Sequence, residues 1–420
     1  MARPDVYKGP VGPLIHRCPQ CQATGPQLLR CAGCRAVRYC SHDHQIADRD
    51  GHKRACNKIK NARAKLDEEV VRNALKRDVG IFRGTNGTSD YMRARFYLAV
   101  ENLLPLGTLD GVQEALYHLE EMLRLCRSDD MGLRDIVPSI MLRLDLDQEC
   151  YDFTKWWATC DPVRDWDDVT LPFLNTRGAK VLEQPDFLVG KRASLNYLVP
   201  ILMLKLKLLV DVLNTNLTRR VLARTRLPDY VRAKIEQVVV RSPLSADLYK
   251  HTYKVLWAIE DTLLIHVRTL GRTIANVNQY FMFDLFDPDE ALATTPSLCN
   301  PGSVGESDLA LQNSYAAWWS TEGTLRLLGS GRECAARASK DDIKHLMMGE
   351  RFRKGEGSHR TAEELLADVS VNRLWGYLEH AIMDATYLGP LSERPSEVEM
   401  RMEAESGELD SDCVGLEQEG

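Results

Sequence analysis

The sequence predicts a small zinc-stabilised finger, made of short hairpins plus a helix, followed by a mainly α, helical-repeat-like domain. Three observations carry this prediction. Six of the twelve cysteines fall within residues 18–56. Beyond residue 88, apolar side chains recur at helical spacing over many segments. Strand-forming runs are sparse along the whole chain.

The cysteine cluster is ordered as Cys18-x2-Cys21, Cys31-x2-Cys34, Cys40-x3-His44 and His52-x3-Cys56. These are four chelating pairs, the number two tetrahedral sites require. A gap of two or three residues lets the chain turn and aim both donors at one ion at about 2.0–2.3 Å. Thiolate and imidazole are the donors that zinc prefers, and four protein ligands leave no open position for water or substrate, so such sites are structural. A disulfide framework is the rival, but paired Cys-x2-Cys with interspersed His and no secretory signal favours metal in a reducing compartment. His42 competes with His44, whose three-residue spacing is the better one, and His16 reads as an ordinary surface residue. The segment contains Gly25, Gly33 and Gly51 and few large apolar side chains. It cannot build its own core, so metal must supply most of its folding free energy.

The order of the pairs, with Arg38-Tyr39-Cys40-Ser41 and His52-Lys53-Arg54-Ala55-Cys56, resembles the MYND finger family. The resemblance implies two Zn²⁺ ions with interleaved pairs: Cys18, Cys21, Cys40 and His44 on one, and Cys31, Cys34, His52 and Cys56 on the other. Spacing by itself also permits consecutive pairing. His44 stands where the family usually has Cys, a swap zinc tolerates. Arg49 stands where many members keep a Trp that lines a groove for proline-containing peptides, while the neighbouring Gln45 matches the family. The resemblance thus implies an adaptor that adds a peptide strand to a small hairpin. Without the Trp the groove loses its largest apolar contact, and an acidic peptide suits Arg49 better.

The charges are uneven along the chain. Residues 1–65 hold thirteen Lys/Arg against four Asp/Glu, whereas residues 391–420 hold ten acidic side chains against two Arg. That last stretch lacks apolar spacing that could bury a face, so it is expected to be a disordered acidic tail. The expected organisation is a flexible N-terminus (1–17), the finger (18–56), a basic helix and linker (57–88), tetratricopeptide-like helix pairs (89–160), a further helical region (161–390) and the tail (391–420). The basic helix, from about residue 52 to 69, has no interleaved aromatics for base stacking, which argues against nucleic acid as a partner.

In the body, helices are expected near 89–104, 110–126, 132–144 and 147–159. The 35-residue offset from Ala115 to Cys150 suits tetratricopeptide-like pairs. Two pairs are too few to close an array, so later helices near 193–215, 228–240, 245–285, 308–328, 340–350 and 361–387 must cover it. The aromatic run from Tyr151 to Trp157, with Trp318, Trp319 and Trp375, reads as core. A finger followed by Tyr91-Met-Arg-Ala-Arg-Phe96 and Arg127-Ser-Asp-Asp-Met-Gly-Leu-Arg134 resembles a group of fungal MYND-finger proteins of unassigned activity.

No catalytic constellation is recognised. The SET segment of methyltransferases that also carry a MYND finger would need an Asn-His-Ser-Cys-like motif and a Cys-x-Cys-x2-Cys zinc site, and neither is present. His118 with Glu121 imitates a metalloprotease helix without its second histidine. The apolar stretch at 197–213 is interrupted by Pro200, Lys205, Lys207 and Asp211, so it reads as a buried helix and no membrane span is expected. The sequence therefore points to an intracellular zinc-binding adaptor, cytoplasmic and/or nuclear, that docks protein partners and catalyses nothing.

Overall fold

A computed structural model describes residues 13–72, 88–161, 166, 168–190, 193–296, 299–321, 323–340, 342–354 and 361–385. Residues 1–12 of the N-terminus expected to be flexible, the Gly-rich stretch 80–87 of the expected linker and the acidic tail lie outside the described residues.

The finger is built from short pieces. Strand β1 (Leu29–Arg30) pairs antiparallel with β2 (Arg38–Tyr39), with Leu29 opposite Tyr39 and Arg30 opposite Arg38. Helix α1 (His42–Ala47) starts at Ser41, whose Oγ accepts the His44 amide at 3.2 Å. Helix α2 (Arg49–Arg72) begins inside the finger and runs far beyond it. Its start at Arg49 precedes the expected one near residue 52. Ile59, Ala62 and Leu66 form the buried stripe of α2, at spacings that place them on one helix face.

That stripe packs on α3 (Thr88–Phe96) and on the π-helical turns Tyr97–Leu103 that continue it. Helix α4 (Leu109–Leu125) follows, capped by the Thr108 hydroxyl, and buries Val112, Ala115, Leu119, Met122 and Leu123. Helix α5 (Val137–Arg143) starts later than expected. Residues Leu133–Asp135 form a separate 3-10 turn, and Pro138 sits at the first turn of α5, where its missing N–H costs nothing. Helix α6 (Asp147–Thr159) spans the residues predicted for it. Tyr151, Phe153, Trp156 and Trp157 are buried, and Trp156 meets Trp157 and Phe173 edge-on.

The chain divides into two compact units, one of Met1–Lys205 with Thr269–Ser320 and one of Leu206–Arg268 with Thr321–Gly420. Helices α7 (Leu195–Leu222) and α9 (Tyr253–Val277) run from one unit into the other; α8 (Asp229–Val238) lies between them in sequence. The first unit is completed by α10 (Phe281–Phe286), α11 (Asp289–Ala293) and α12 (Val304–Ser320), and α12 packs on α5. In the second, α13 (Thr324–Ser339) packs on α15 (Ala362–Arg373) and α16 (Leu378–Ala385), with α14 (Ile343–Lys354) against α15. The helix expected over 308–328 is two helices, α12 and α13, because Gly323 takes a φ of +78° between them, a conformation that interrupts helical hydrogen bonding.

The polar residues that interrupt the apolar stretch of α7 are buried and satisfied. Lys205 Nζ donates to the Val181 carbonyl and lies 5.4 Å from the Tyr151 ring. Asp211 accepts the Arg241 and Ser242 amides at 2.8 and 2.9 Å. No helix among the described residues is long and apolar enough to cross a membrane.

Candidate metal centre

Each Cys-x2-Cys pair sits on a tight turn of the same design. The Gln22 amide returns to the Cys18 carbonyl at 2.8 Å, and the Arg35 amide to the Cys31 carbonyl at 2.9 Å. Gln22 and Arg35, each directly after the second cysteine, both take φ near +58°. Left-handed backbone costs a non-glycine residue roughly 1–2 kcal/mol, so the turns persist because something stronger holds them. The third pair straddles the Ser41 cap, and the fourth lies one turn apart on a single face of α2.

These pairs converge on two points. Cys18, Cys21, Cys40 and His44 form one tetrad and Cys31, Cys34, His52 and Cys56 the other, with all donor atoms of each within 4.8 Å of one another. The pairing is interleaved, first with third and second with fourth. In centre 1, Cys40 Sγ is 3.0 Å and Cys18 Sγ 3.8 Å from His44 Nδ1, and Cys21 Sγ is 3.5 Å from Cys40 Sγ. In centre 2, Cys34 Sγ is 3.4 Å from His52 Nε2 and Cys31 Sγ is 3.8 Å from Cys56 Sγ. Bond lengths of about 2.3 Å to sulfur and 2.0–2.1 Å to nitrogen put the edges of a tetrahedron at roughly 3.5–3.8 Å. The separations therefore fit two closed Cys₃His zinc-binding sites. His42 is exposed and belongs to neither tetrad.

The surroundings favour thiolate. Burial raises the Cys18 thiol, but the amides of Cys40, Cys21 and Gln20 and the His44 ring outweigh it and hold it down at about 6. Cys31 is likewise held at about 6, where burial is overcome by the Cys34 amide and the His52 ring. Without a cation the charges cannot all form: burial, with the neighbouring Cys31 and Cys56, pushes Cys34 up to about 12. A divalent ion supplies the missing positive charge. Gly33 also fits the group, since a Cβ there would lie 2.8 Å from Cys56 Sγ. No cysteine among the described residues is in a disulfide.

Tyr39 braces the finger: its hydroxyl donates to Asp48, at the end of α1, at 2.6 Å and its ring meets the centre 2 ligand His52 edge-on at 6.0 Å. Beyond the ligands, the finger is bolted to α4. Asp110, whose side chain is only 5% exposed, takes two hydrogen bonds from Arg38 at 2.6 and 2.9 Å and one from Arg30 at 2.5 Å. Arg63 on α2 binds Glu114 through two donors at 3.0 and 2.5 Å and also donates to the Cys34 carbonyl. The Thr108 hydroxyl donates to the Ala36 carbonyl at 2.6 Å. His16 is not an ordinary surface residue: its Nδ1 lies 3.6 Å from Asp110, and burial, with Arg38 and Arg30 nearby, lowers its pKa.

Sequence reasoning found all eight donors and missed this clamp. A signal existed in the register: Arg30 faces Arg38 across the hairpin, and like charges placed directly opposite are destabilising unless an anion lies between them. Of the two residues assigned to a peptide groove, Gln45 is half-buried on α1 and Arg49 is exposed at the start of α2.

Two Cys₃His centres braced by interleaved pairs and joined by a two-strand hairpin define a cross-braced binuclear zinc finger. Residues 18–56 match the family described as MYND finger, so this segment is a MYND finger. No curated protein and no solved structure matches the chain. MYND fingers are in general domains of protein–protein interaction.

Proposed function

We propose that this chain is a zinc-binding adaptor whose finger docks short partner peptides, whose helical body offers a second scaffold surface, and which carries out no reaction itself. The observation that supports the reading most is the hairpin edge together with exposed apolar side chains on the finger. β1 has a strand neighbour on one edge only among the described residues, and Leu29 on it is 70% exposed while Ile46 on α1 is 54% exposed. An extended peptide can add to such an edge and rest an apolar side chain beside it. Arg49 adds an exposed positive charge to the finger, which favours acidic over proline-rich sequences. Nucleic acid is a weaker reading, because Arg63 is spent on Glu114 and Lys65 on Glu69.

Titration of the intact protein with acidic and proline-rich peptides tests this. Saturable binding that weakens on Leu29→Ala or Ile46→Ala and shifts preference on Arg49→Trp is the expected result. Binding of neither peptide, or turnover of a labelled methyl donor, would overturn it.

A further inference from the structure

The second unit carries a surface that the adaptor reading does not use. Residues 219–257 hold nine Lys/Arg against three Asp/Glu. Arg219 ties the region together, bonding Glu236 on α8 at 2.8 Å and the carbonyls of Tyr249 and His251 at 2.7 and 2.6 Å. Two of the acids are committed, Glu236 to Arg219 and Asp247 to Lys250. Arg224, Arg226, Lys234 and Lys254 are exposed, and none has an ion-pair partner among the described residues. Interleaved with these cations along the sequence are large exposed apolar side chains: Val221 at 58%, Tyr230 at 74%, Val238 at 77% and Trp257 at 61%. Tyr230, Lys234 and Val238 follow one another at four-residue intervals, so they form one stripe along α8.

Cations mixed with bare aromatic and aliphatic groups call for a partner that is both acidic and apolar. The chain contains one. Residues 391–420 are strongly acidic, and within them Glu397-Val-Glu-Met-Arg-Met-Glu-Ala-Glu405 alternates charged and apolar side chains at every position. Composition assigns the tail as a whole to solvent, but a strictly alternating stretch drawn out as extended chain has one apolar edge and one acidic edge. Its apolar repeat is then about 6.6 Å per two residues, close to the roughly 6 Å between successive side chains of a four-residue helical stripe.

Where the chain leaves the described residues also suits this pairing. The tail follows α16 in the same unit, and α16 is anchored to α9 by Arg268, which pairs with Glu379 at 2.9 Å. Trp257 lies eleven residues back along α9 from Arg268, about 16 Å at helical rise. The twelve steps of chain from residue 385 to residue 397 span up to about 40 Å when extended, so reach is ample. The basic run on α2 is a poorer seat: among its buried and exposed positions only Val70 offers a large exposed apolar group.

We propose that the acidic segment 397–405 docks across α8 and the first turns of α9 in its own chain, covering Tyr230, Val238 and Trp257 and pairing with Arg224, Lys234 and Lys254. The surface is thereby self-occupied until a partner displaces the tail.

Hydrogen exchange of the intact protein, read over residues 219–257, tests the proposal against a chain ended after residue 389 and against the full-length Glu397→Gln, Glu399→Gln, Glu403→Gln, Glu405→Gln variant. Slower exchange in the intact chain by at least about threefold is expected, with loss in both comparison proteins, recovery on adding a synthetic 395–408 peptide, and loss at high salt. Lys234→Glu should abolish the protection in a full chain whose zinc content is unchanged. Equal exchange in all chains overturns the proposal. So does protection that depends on protein concentration, which marks a second copy, or protection that shifts to residues 53–65. Saturable binding of a poly(U) oligonucleotide, unaffected by removing the tail, would assign the surface to nucleic acid and overturn it as well.

Discussion

The two zinc centres share a donor set and differ in where they stand. Each centre has two half-buried ligands, but centre 1 pairs a buried Cys18 with an exposed Cys21, whereas centre 2 has both Cys31 and Cys34 buried. Arg63 reaches from α2 to the Cys34 carbonyl and to Glu114 on α4, and Ala36, two residues beyond Cys34, is bonded to Thr108. Centre 2 is therefore the joint between finger and helical body. Centre 1 faces solvent and shapes α1. Identical coordination chemistry thus serves anchorage at one ion and display at the other, and the surroundings decide which.

Removing one donor from each centre should separate these roles most sharply. Structural zinc is worth roughly 10–16 kcal/mol of folding free energy in finger peptides, so either loss is severe locally. Cys34→Ser should lower bound zinc from two equivalents to one and also speed hydrogen exchange at the start of α4. Cys21→Ser should lower the zinc count equally and leave α4 protected. Equal exchange at α4 in the two variants would erase the distinction.

Chelator competition on the unmodified protein should remove zinc in two phases, the first from centre 1 and about tenfold faster, because exposed thiolates are the ones a chelator can reach. A single phase releasing both equivalents would contradict it.

The ionic clamp gives the next effect in size. Asp110→Ala leaves Arg38 and Arg30 facing each other without their anion, and should cost about 3 kcal/mol in denaturant unfolding of the first unit. The clamp also predicts a pH dependence. Burial raises the Asp110 carboxyl, but Arg38, Arg30 and His16 outweigh it and hold it below the usual carboxylate range; Glu114 is held down likewise by His118 and Arg63. Groups with depressed native values stabilise fully above their unfolded pKa and lose that contribution as pH falls through the native value. The stability gap between the intact chain and Asp110→Asn should thus be constant from about pH 7 to 5 and close below about pH 4.

The smallest test is a pair of glycine replacements. Gly33→Ala would bring a Cβ to 2.8 Å from Cys56 Sγ, whereas Gly51→Ala on α2 meets nothing nearer than Asp48 Oδ1 at 3.9 Å. The first should weaken zinc retention at centre 2. The second should stabilise by about 0.5–1 kcal/mol through helix propensity.

The ligands were legible in the sequence because zinc demands fixed residue types at short spacing, and the helical body because apolar periodicity survives in α4 and α6. The clamp was not, since Asp110 and Glu114 lie more than 70 and 50 residues from their arginines, and one acid at the start of a helix ordinarily signals nothing beyond a favourable dipole. The break at Gly323 was also hidden, because apolar residues keep helical spacing on both sides of it. Lys205, Lys207 and Asp211 read as interruptions of a membrane span, yet only the fold shows Lys205 and Asp211 meeting backbone groups.

The hairpin holds Arg30 and Arg38 side by side around a carboxylate that comes from outside the finger. A fragment cut before Leu109 would lack that carboxylate and would offer in its place a two-pronged receptor for any acid in solution. Acidic ligands captured by such a fragment would be filling an internal seat, one that the whole chain keeps taken.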